Sequence, residues 1–131
     1  KKMNKAELIK IAKEARLKAH APYSKFKVGA ALLTQSGRVF SGANVENASY
    51  GLTICAERVA VFKAVSEGET KFSQLVMVAD TGKPAPPCGA CLQVLAEFCH
   101  HLPVIMIDLE GKEVEKDLID LLPSPFKKAG E

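Results

Sequence analysis

Leu8, Ile11, Ala12, Ala15 and Ala19 recur three and four residues apart in NKAELIKIAKEARLKAHA, with lysines and glutamates filling the gaps. That period puts the apolar positions on one stripe of a helix. Asn4 and Glu7 stand at capping-box spacing ahead of the stripe, and the helix is expected to end before Pro22. The period then changes. FKVGAALLTQSGRVFSGANVEN reads as a hairpin, with a strand near 27–34, a turn around 35–37 and a second strand near 38–42. Small residues at 29–31 predict that something packs closely on the first strand. A helix over about 54–67 stops near Gly68. SQLVMVAD is a short unbroken apolar run, expected as a buried strand, and TGKPAPP after it is a loop. Another helix is expected to begin around Cys88, behind Pro86 and Pro87, because proline suits a first turn. It should run to about Cys99. LPVIMIDLEG gives a further buried strand, and Val114, Leu118, Leu121 and Leu122 mark a last helix closed by PSPF.

The predicted order is α-β-β-α-β-α-β-α. Strand–helix–strand units after a hairpin imply an α/β fold, a mixed sheet with helices on its faces. The 131 residues read as one domain, 1–131, long enough to bury a core. Lys1 and Lys2 precede Met3 and carry no weight. A chain 47% apolar and 25% charged is ordinary for a globular protein, so composition leaves the picture unchanged. Charge removes two classes. The formal balance is +3, but lysines and arginines are scattered, with no block suited to a nucleic-acid arm or a membrane patch. There is no run of eighteen apolar residues and no leader pattern, so the expected location is the cytoplasm.

The cysteines bring in chemistry. Cys55, Cys88, Cys91 and Cys99 permit disulfides by number, but metal or redox chemistry is the stronger expectation in a reducing compartment. Cys88 and Cys91 share one face of a helical first turn, and Cys55 stands at the start of another helix. Unpaired N–H groups and the dipole at both helix starts favour thiolate over thiol. Thiolates of this kind suit zinc. A closed structural zinc would need a fourth ligand from Cys99, His100, His101 or His20. Cys99 lies eight residues past Cys91, about 12 Å along a continuous helix; His20, elsewhere in the chain, is not ruled out by spacing. A thioredoxin-like redox pair would leave Cys55 and Glu57 without a role. Three unrelated core cysteines would require two helix starts to coincide by chance. One open zinc per subunit, on Cys55, Cys88 and Cys91, is therefore expected.

Three thiolates on a divalent ion leave a formal charge of −1, which Arg58, three residues after Cys55, can offset. The alternative for Arg58 is a solvated surface position. Glu57 is close enough to a bound water to move its proton; otherwise it serves the helix dipole.

Cys-Ala-Glu at 55–57 followed by Pro-Cys-x-x-Cys at 87–91 resembles the zinc-dependent cytidine deaminases. The resemblance covers nearly the whole chain. Cysteine as first ligand is similar to the small homotetrameric enzymes that act on free nucleosides. It implies a three-layer α-β-α fold with a mixed sheet of about five strands. It further implies Phe26 against the pyrimidine, Asn44 and Glu46 on the ribose, and the Ala56 backbone on the base. Tyr50 and Phe126 would approach from neighbouring subunits. Each has a plainer alternative: Phe26 as core, Asn44 and Glu46 as loop residues, and Phe126 as a plug for its own subunit. Gln93, Cys99, His100 and His101 read as structural. The implied reaction is hydrolytic deamination of cytidine and 2′-deoxycytidine, in pyrimidine salvage, with Glu57 shuttling protons. The partner is a small nucleoside, with no nucleic acid and no membrane. Two rivals stand beside it: a zinc deaminase of another ring (a nucleoside antibiotic, guanine or an RNA base), and a non-catalytic zinc-stabilised binding module.

Overall fold

The computed structural model describes residues 3–128; Lys1, Lys2 and positions 129–131 of the expected 1–131 domain lie outside them. Helix α1 (Lys5–Arg16) starts on the expected capping box. Asn4 Oδ1 accepts from the Glu7 N–H at 2.9 Å, and Glu7 Oε1 accepts from the Asn4 N–H at 3.4 Å. The helix stops at Arg16, earlier than Pro22 alone would require. His20 is drawn away instead, its N–H donating to Asn44 O at 3.0 Å while its carbonyl accepts from Glu46 N at 2.8 Å. Pairing with a distant segment outcompetes another helical turn.

Strands β1 (Val28–Thr34) and β2 (Val39–Ala43) form the expected hairpin, turned at Gly37 with φ 93°. A short 3-10 turn (Tyr50–Leu52) leads to α2 (Ala56–Ser66), β3 (Phe72–Ala79), α3 (Gly89–Ala96) and β4 (Pro103–Ile107). One expectation fails here. Val114 does not open a helix but lies in a fifth strand, β5 (Glu113–Asp117), and only Leu118–Leu121 forms the last helix, α4. The reason is local. Asp108 Oδ1 accepts from the N–H groups of Glu110 and Lys112, both at 2.9 Å, and Gly111 takes φ 90°, turning the chain back along β4. The polar run EVEKD then serves as a charged sheet edge, which discourages pairing with other chains. Asp117 caps α4, accepting from Ile119 N at 3.1 Å.

The sheet order is β2-β1-β3-β4-β5, parallel between β3 and β4 and antiparallel elsewhere. On one face, Leu8 and Ala12 of α1 pack on Ala31, Leu33, Val76 and Ile105. On the other, α2, α3 and α4 bring Ala60, Val61, Leu95 and Leu118 onto Leu32, Leu75 and Val104. All seven residues of β1 are buried, as a strand covered on both faces must be. These are the three layers and five strands the resemblance implied.

Two glycines set how closely the outer layers approach. A Cβ on Gly29 would collide with the Ala12 carbonyl oxygen and stand 2.6 Å from Arg16 N, so α1 lies directly on the β1 backbone. A Cβ on Gly42 would collide with the Ala56 carbonyl oxygen and stand 2.7 Å from Ala60 N, the first turn of α2. Gly29 pairs opposite Ala43, and Ala30 opposite Gly42, so the two contacts fall side by side on opposite faces. Gly29→Ala and Gly42→Ala are each expected to destabilise by about 1–3 kcal/mol, because neither helix backbone can yield locally. Gly51→Ala, whose Cβ would meet nothing within 4 Å, should be neutral. Urea melts of the three variants check this.

Candidate active site

Cys55 and Cys88 occupy the same structural position in two helices. Each is an N-cap with extended backbone, φ −81° and ψ 155° for Cys55, φ −68° and ψ 165° for Cys88. Neither side chain caps its own helix, so both sulfurs are free to turn toward a common point. Cys91, in the first turn of α3, joins them. Cys55 Sγ lies 3.8 Å from Cys88 Sγ, and Cys88 Sγ lies 3.4 Å from Cys91 Sγ. All three fall within 4.8 Å of one another. Zinc–sulfur bonds of about 2.3 Å arranged tetrahedrally require sulfurs about 3.8 Å apart. The cluster fits one zinc ion.

The competing ligands are elsewhere. All four cysteines are free thiols. Cys99 Sγ donates to Leu95 O at 3.3 Å, and burial pushes its pKa up to about 11. His101 Nδ1 lies 3.3 Å from Asp117 Oδ1. Among the described residues, no histidine, carboxylate or fourth cysteine joins the trio.

Charge at the cluster is distributed unevenly. The Cys91 thiol bonds to Cys55 and, against the cost of burial and with help from Arg58 and Cys88, brings the Cys55 thiol down to about 5. Cys91 is pushed upward by the same contact with Cys55 and by its burial. Arg58 Nη2 donates to Cys55 Sγ at 3.4 Å, which holds the guanidinium more firmly protonated. Its Nε is buried with no acceptor among the protein's own atoms. Arg58 is thus not a solvated surface arginine. Glu57 is only 3% exposed, and burial, with the nearby Cys55 charge, pushes its carboxyl up to about 7. A carboxyl so placed can change protonation near neutrality.

The cluster borders a cavity of about 290 Å³, lined by Phe26, Asn44, Glu46, Cys55, Ala56, Glu57 and Cys88 among others. Phe26 is 40% exposed, which excludes the core alternative. Asn44 and Glu46 reach the cavity but also bind the chain itself: Asn44 bridges Phe26 O and Val28 N, and Glu46 accepts from Tyr23 and Ser24. Tyr50 and Phe126, 84% and 79% exposed, are not among the cavity's lining residues. Phe126 therefore does not plug its own subunit. Gln93 holds Phe126's main chain, donating to its carbonyl at 2.9 Å and accepting from its N–H at 3.0 Å. Sequence reasoning missed Ser24, Thr53, Met77, Ala85 and Pro86 in the lining. Only Pro86, two residues before Cys88, carried a signal.

The chain is similar to proteins of known family. Residues 2–107 match the family described as the cytidine and deoxycytidylate deaminase zinc-binding region. The chain belongs to that family. It is 50% identical over 127 residues to the cytidine deaminase of Sporosarcina psychrophila, covering 96% of this chain and 93% of that protein. It is 53% identical over 125 residues to the cytidine deaminase of Halalkalibacterium halodurans, covering 95% of each. The crystal structure of cytidine deaminase from Burkholderia pseudomallei superposes with a TM-score of 0.92 at 49% identity, over 95% of this chain and 100% of that one. Among the described residues, no helix is long and apolar enough to cross a membrane.

Cys55→Ser, Cys88→Ser and Cys91→Ser are each expected to lower bound zinc well below one equivalent, whereas Cys99→Ser should retain it. Metal analysis after dialysis against a weak chelator reads the difference.

Proposed function

We propose that this chain, acting as a single catalytic domain over 1–131, hydrolyses cytidine and 2′-deoxycytidine to uridine and 2′-deoxyuridine with release of ammonia. The observation that carries the reading is the sulfur trio at tetrahedral spacing beside the buried carboxyl of Glu57, at the edge of a cavity. The family and its cytidine deaminase relatives support the substrate. Cys55, Cys88 and Cys91 are the ligand set, three in number, as an open zinc site requires. Zinc held there would supply Lewis acidity, the chemistry that acidifies a water for attack at C4 of the pyrimidine.

Glu57 takes a proton from the attacking water and delivers it to N3, then takes the second proton from the hydroxyl added at C4 and passes it to the departing amine. Its burial suits both directions, since a carboxyl held near neutrality gives and takes a proton with little bias. Arg58 offsets thiolate charge through Cys55. The Ala56 backbone reads the base, Phe26 packs on it, and Asn44 and Glu46 address the ribose. Tyr50 and Phe126 complete the cavities of neighbouring copies in a homotetramer, a role consistent with their exposure. The setting is pyrimidine salvage in the cytoplasm. Polynucleotide is disfavoured as a substrate by the scattered charge, which offers no stripe for phosphates.

Glu57→Gln is expected to keep one equivalent of zinc and lose about 10²–10⁴ in kcat. The ultraviolet change on uracil formation gives the rate, and metal analysis gives the zinc. A fully active variant would remove Glu57 from proton transfer, and absence of turnover by the unaltered protein would remove the reading itself.

A further inference from the structure

Phe26 is held at both ends of its main chain by side chains from other positions. Its N–H donates to Ser24 Oγ at 3.0 Å, and its carbonyl accepts from Asn44 Nδ2 at 2.8 Å. Ser24 is itself held by Glu46. The N–H groups of Tyr23 and Ser24 converge on Glu46 Oε1 at 2.9 and 3.1 Å, and the Ser24 hydroxyl donates to Oε2. One hydroxyl therefore gives its proton to the carboxylate and its lone pair to the Phe26 amide. Between the two, Lys25 adopts φ 62°, a left-handed conformation uncommon for a residue other than glycine, asparagine or aspartate. Such a conformation persists only where its surroundings fix it. Here these bonds do so, together with Lys25 N donating to Ala21 O at 3.1 Å.

Ser24, Phe26, Asn44 and Glu46 all line the same cavity. We propose that Ser24 is a positioning residue that couples the sugar side of the cavity to its base side, its hydroxyl tying the Glu46 carboxylate to the main chain that presents Phe26. The inference rests on the nucleoside reading above. A ligand hydroxyl that binds Glu46 does so on a carboxylate already oriented by Ser24, and the same bond fixes the ring that meets the base. Preference for a nucleoside over a free base then exceeds what the lost sugar contacts alone would supply. Neither Ser24 nor the Ser24–Glu46 bond touches the reacting atoms, so the effect belongs in KM rather than kcat.

The test uses the zinc-loaded protein with Ser24→Ala, Ser24→Thr, Phe26→Leu and the Ser24→Ala/Phe26→Leu double variant. Ser24 is exposed, so its replacement leaves the core intact. Ser24→Ala is expected to raise KM for cytidine about tenfold with kcat nearly unchanged, the scale of one hydrogen bond to a charged group. Hydrogen exchange at the Phe26 amide, followed by NMR without substrate, should quicken about tenfold. Ser24→Thr, which keeps the hydroxyl, should restore both, and in the Phe26→Leu background the Ser24→Ala penalty should shrink to the part carried by Glu46. Unchanged exchange at Phe26, or a KM penalty that persists in full without the ring, overturns the inference. Failure of the unaltered protein to deaminate cytidine would instead overturn the function, while the exchange comparison still decides the role of Ser24.

Discussion

Three sulfurs within 4.8 Å cannot all lose their protons unaided. Two unit charges about 4 Å apart repel by about 4 kcal/mol even at an effective dielectric of about 20. The contacts within the cluster pull the Cys55 thiol below its ordinary value and push the Cys91 thiol above it. Arg58 beside Cys55 favours the ionised form, and so do the N-terminal ends of α2 and α3, whose first N–H groups lack helical partners. These aids do not neutralise a trio. A divalent cation offsets two of the three charges and Arg58 the third, which is why the spacing is best understood as that of a ligand set. Glu57 feels the same field: a carboxyl beside a thiolate and out of water holds its proton more tightly than an exposed one.

Holding two helix starts to within a sulfur–sulfur contact places demands on the whole fold. Helix α3 is the crossover between parallel strands β3 and β4, so its N-terminus lies at the carboxyl end of β3, where open α/β sheets commonly bind ligands. Met77 and Ala79 of that strand accordingly line the cavity. Helix α2 lies on the same face as α3, reached by way of the hairpin and the segment that follows it, and its depth is set at Gly42. Backbone against backbone is the closest packing available, and it leaves α2 no side chain to rock upon there. The buried Ala56, Ala60 and Ala64 continue that close contact along the helix. Small residues therefore set the position of a site built from sulfurs and charged side chains.

Much of this was legible because it repeats locally. The capping box, the hairpin, the apolar runs of β3 and β4 and the helix starts at the cysteines all follow from residues within a few positions of one another. What the spacing did not show has a different cause. Helix α1 ends early because His20 pairs with Asn44 and Glu46, and β5 exists because it pairs with β4; neither partner is near in sequence. Val114 and Leu118 fit a helical period by spacing, yet the turn at Asp108 and Gly111 had already committed the chain to run back along β4. Cys55 and Cys88 were visible as helix starts, but only the backbone angles reveal them as equivalent cap positions. Ser24 gave no signal, since an exposed serine in a loop is ordinary until its two partners are seen.

Phe26 and Phe126 are pinned by the same device, although they lie far apart in the chain. In each, polar side chains from other positions bind the main-chain N–H and carbonyl while part of the ring stays exposed. Asn44 and Ser24 do this for Phe26, and Gln93 does it alone for Phe126. Burying a ring would also hold it still, but would remove its face from use. Fixing the main chain orders the residue before any contact is made, so part of the entropy of ordering is not charged to the later encounter. The two clamps are tied to the sulfur cluster by short paths, one along the chain and one by packing: Gln93 is two residues beyond Cys91 in α3, and Asn44 follows β2, on which the first turn of α2 rests. A displacement of either helix that opened the sulfur trio would therefore also disturb the clamp nearest to it.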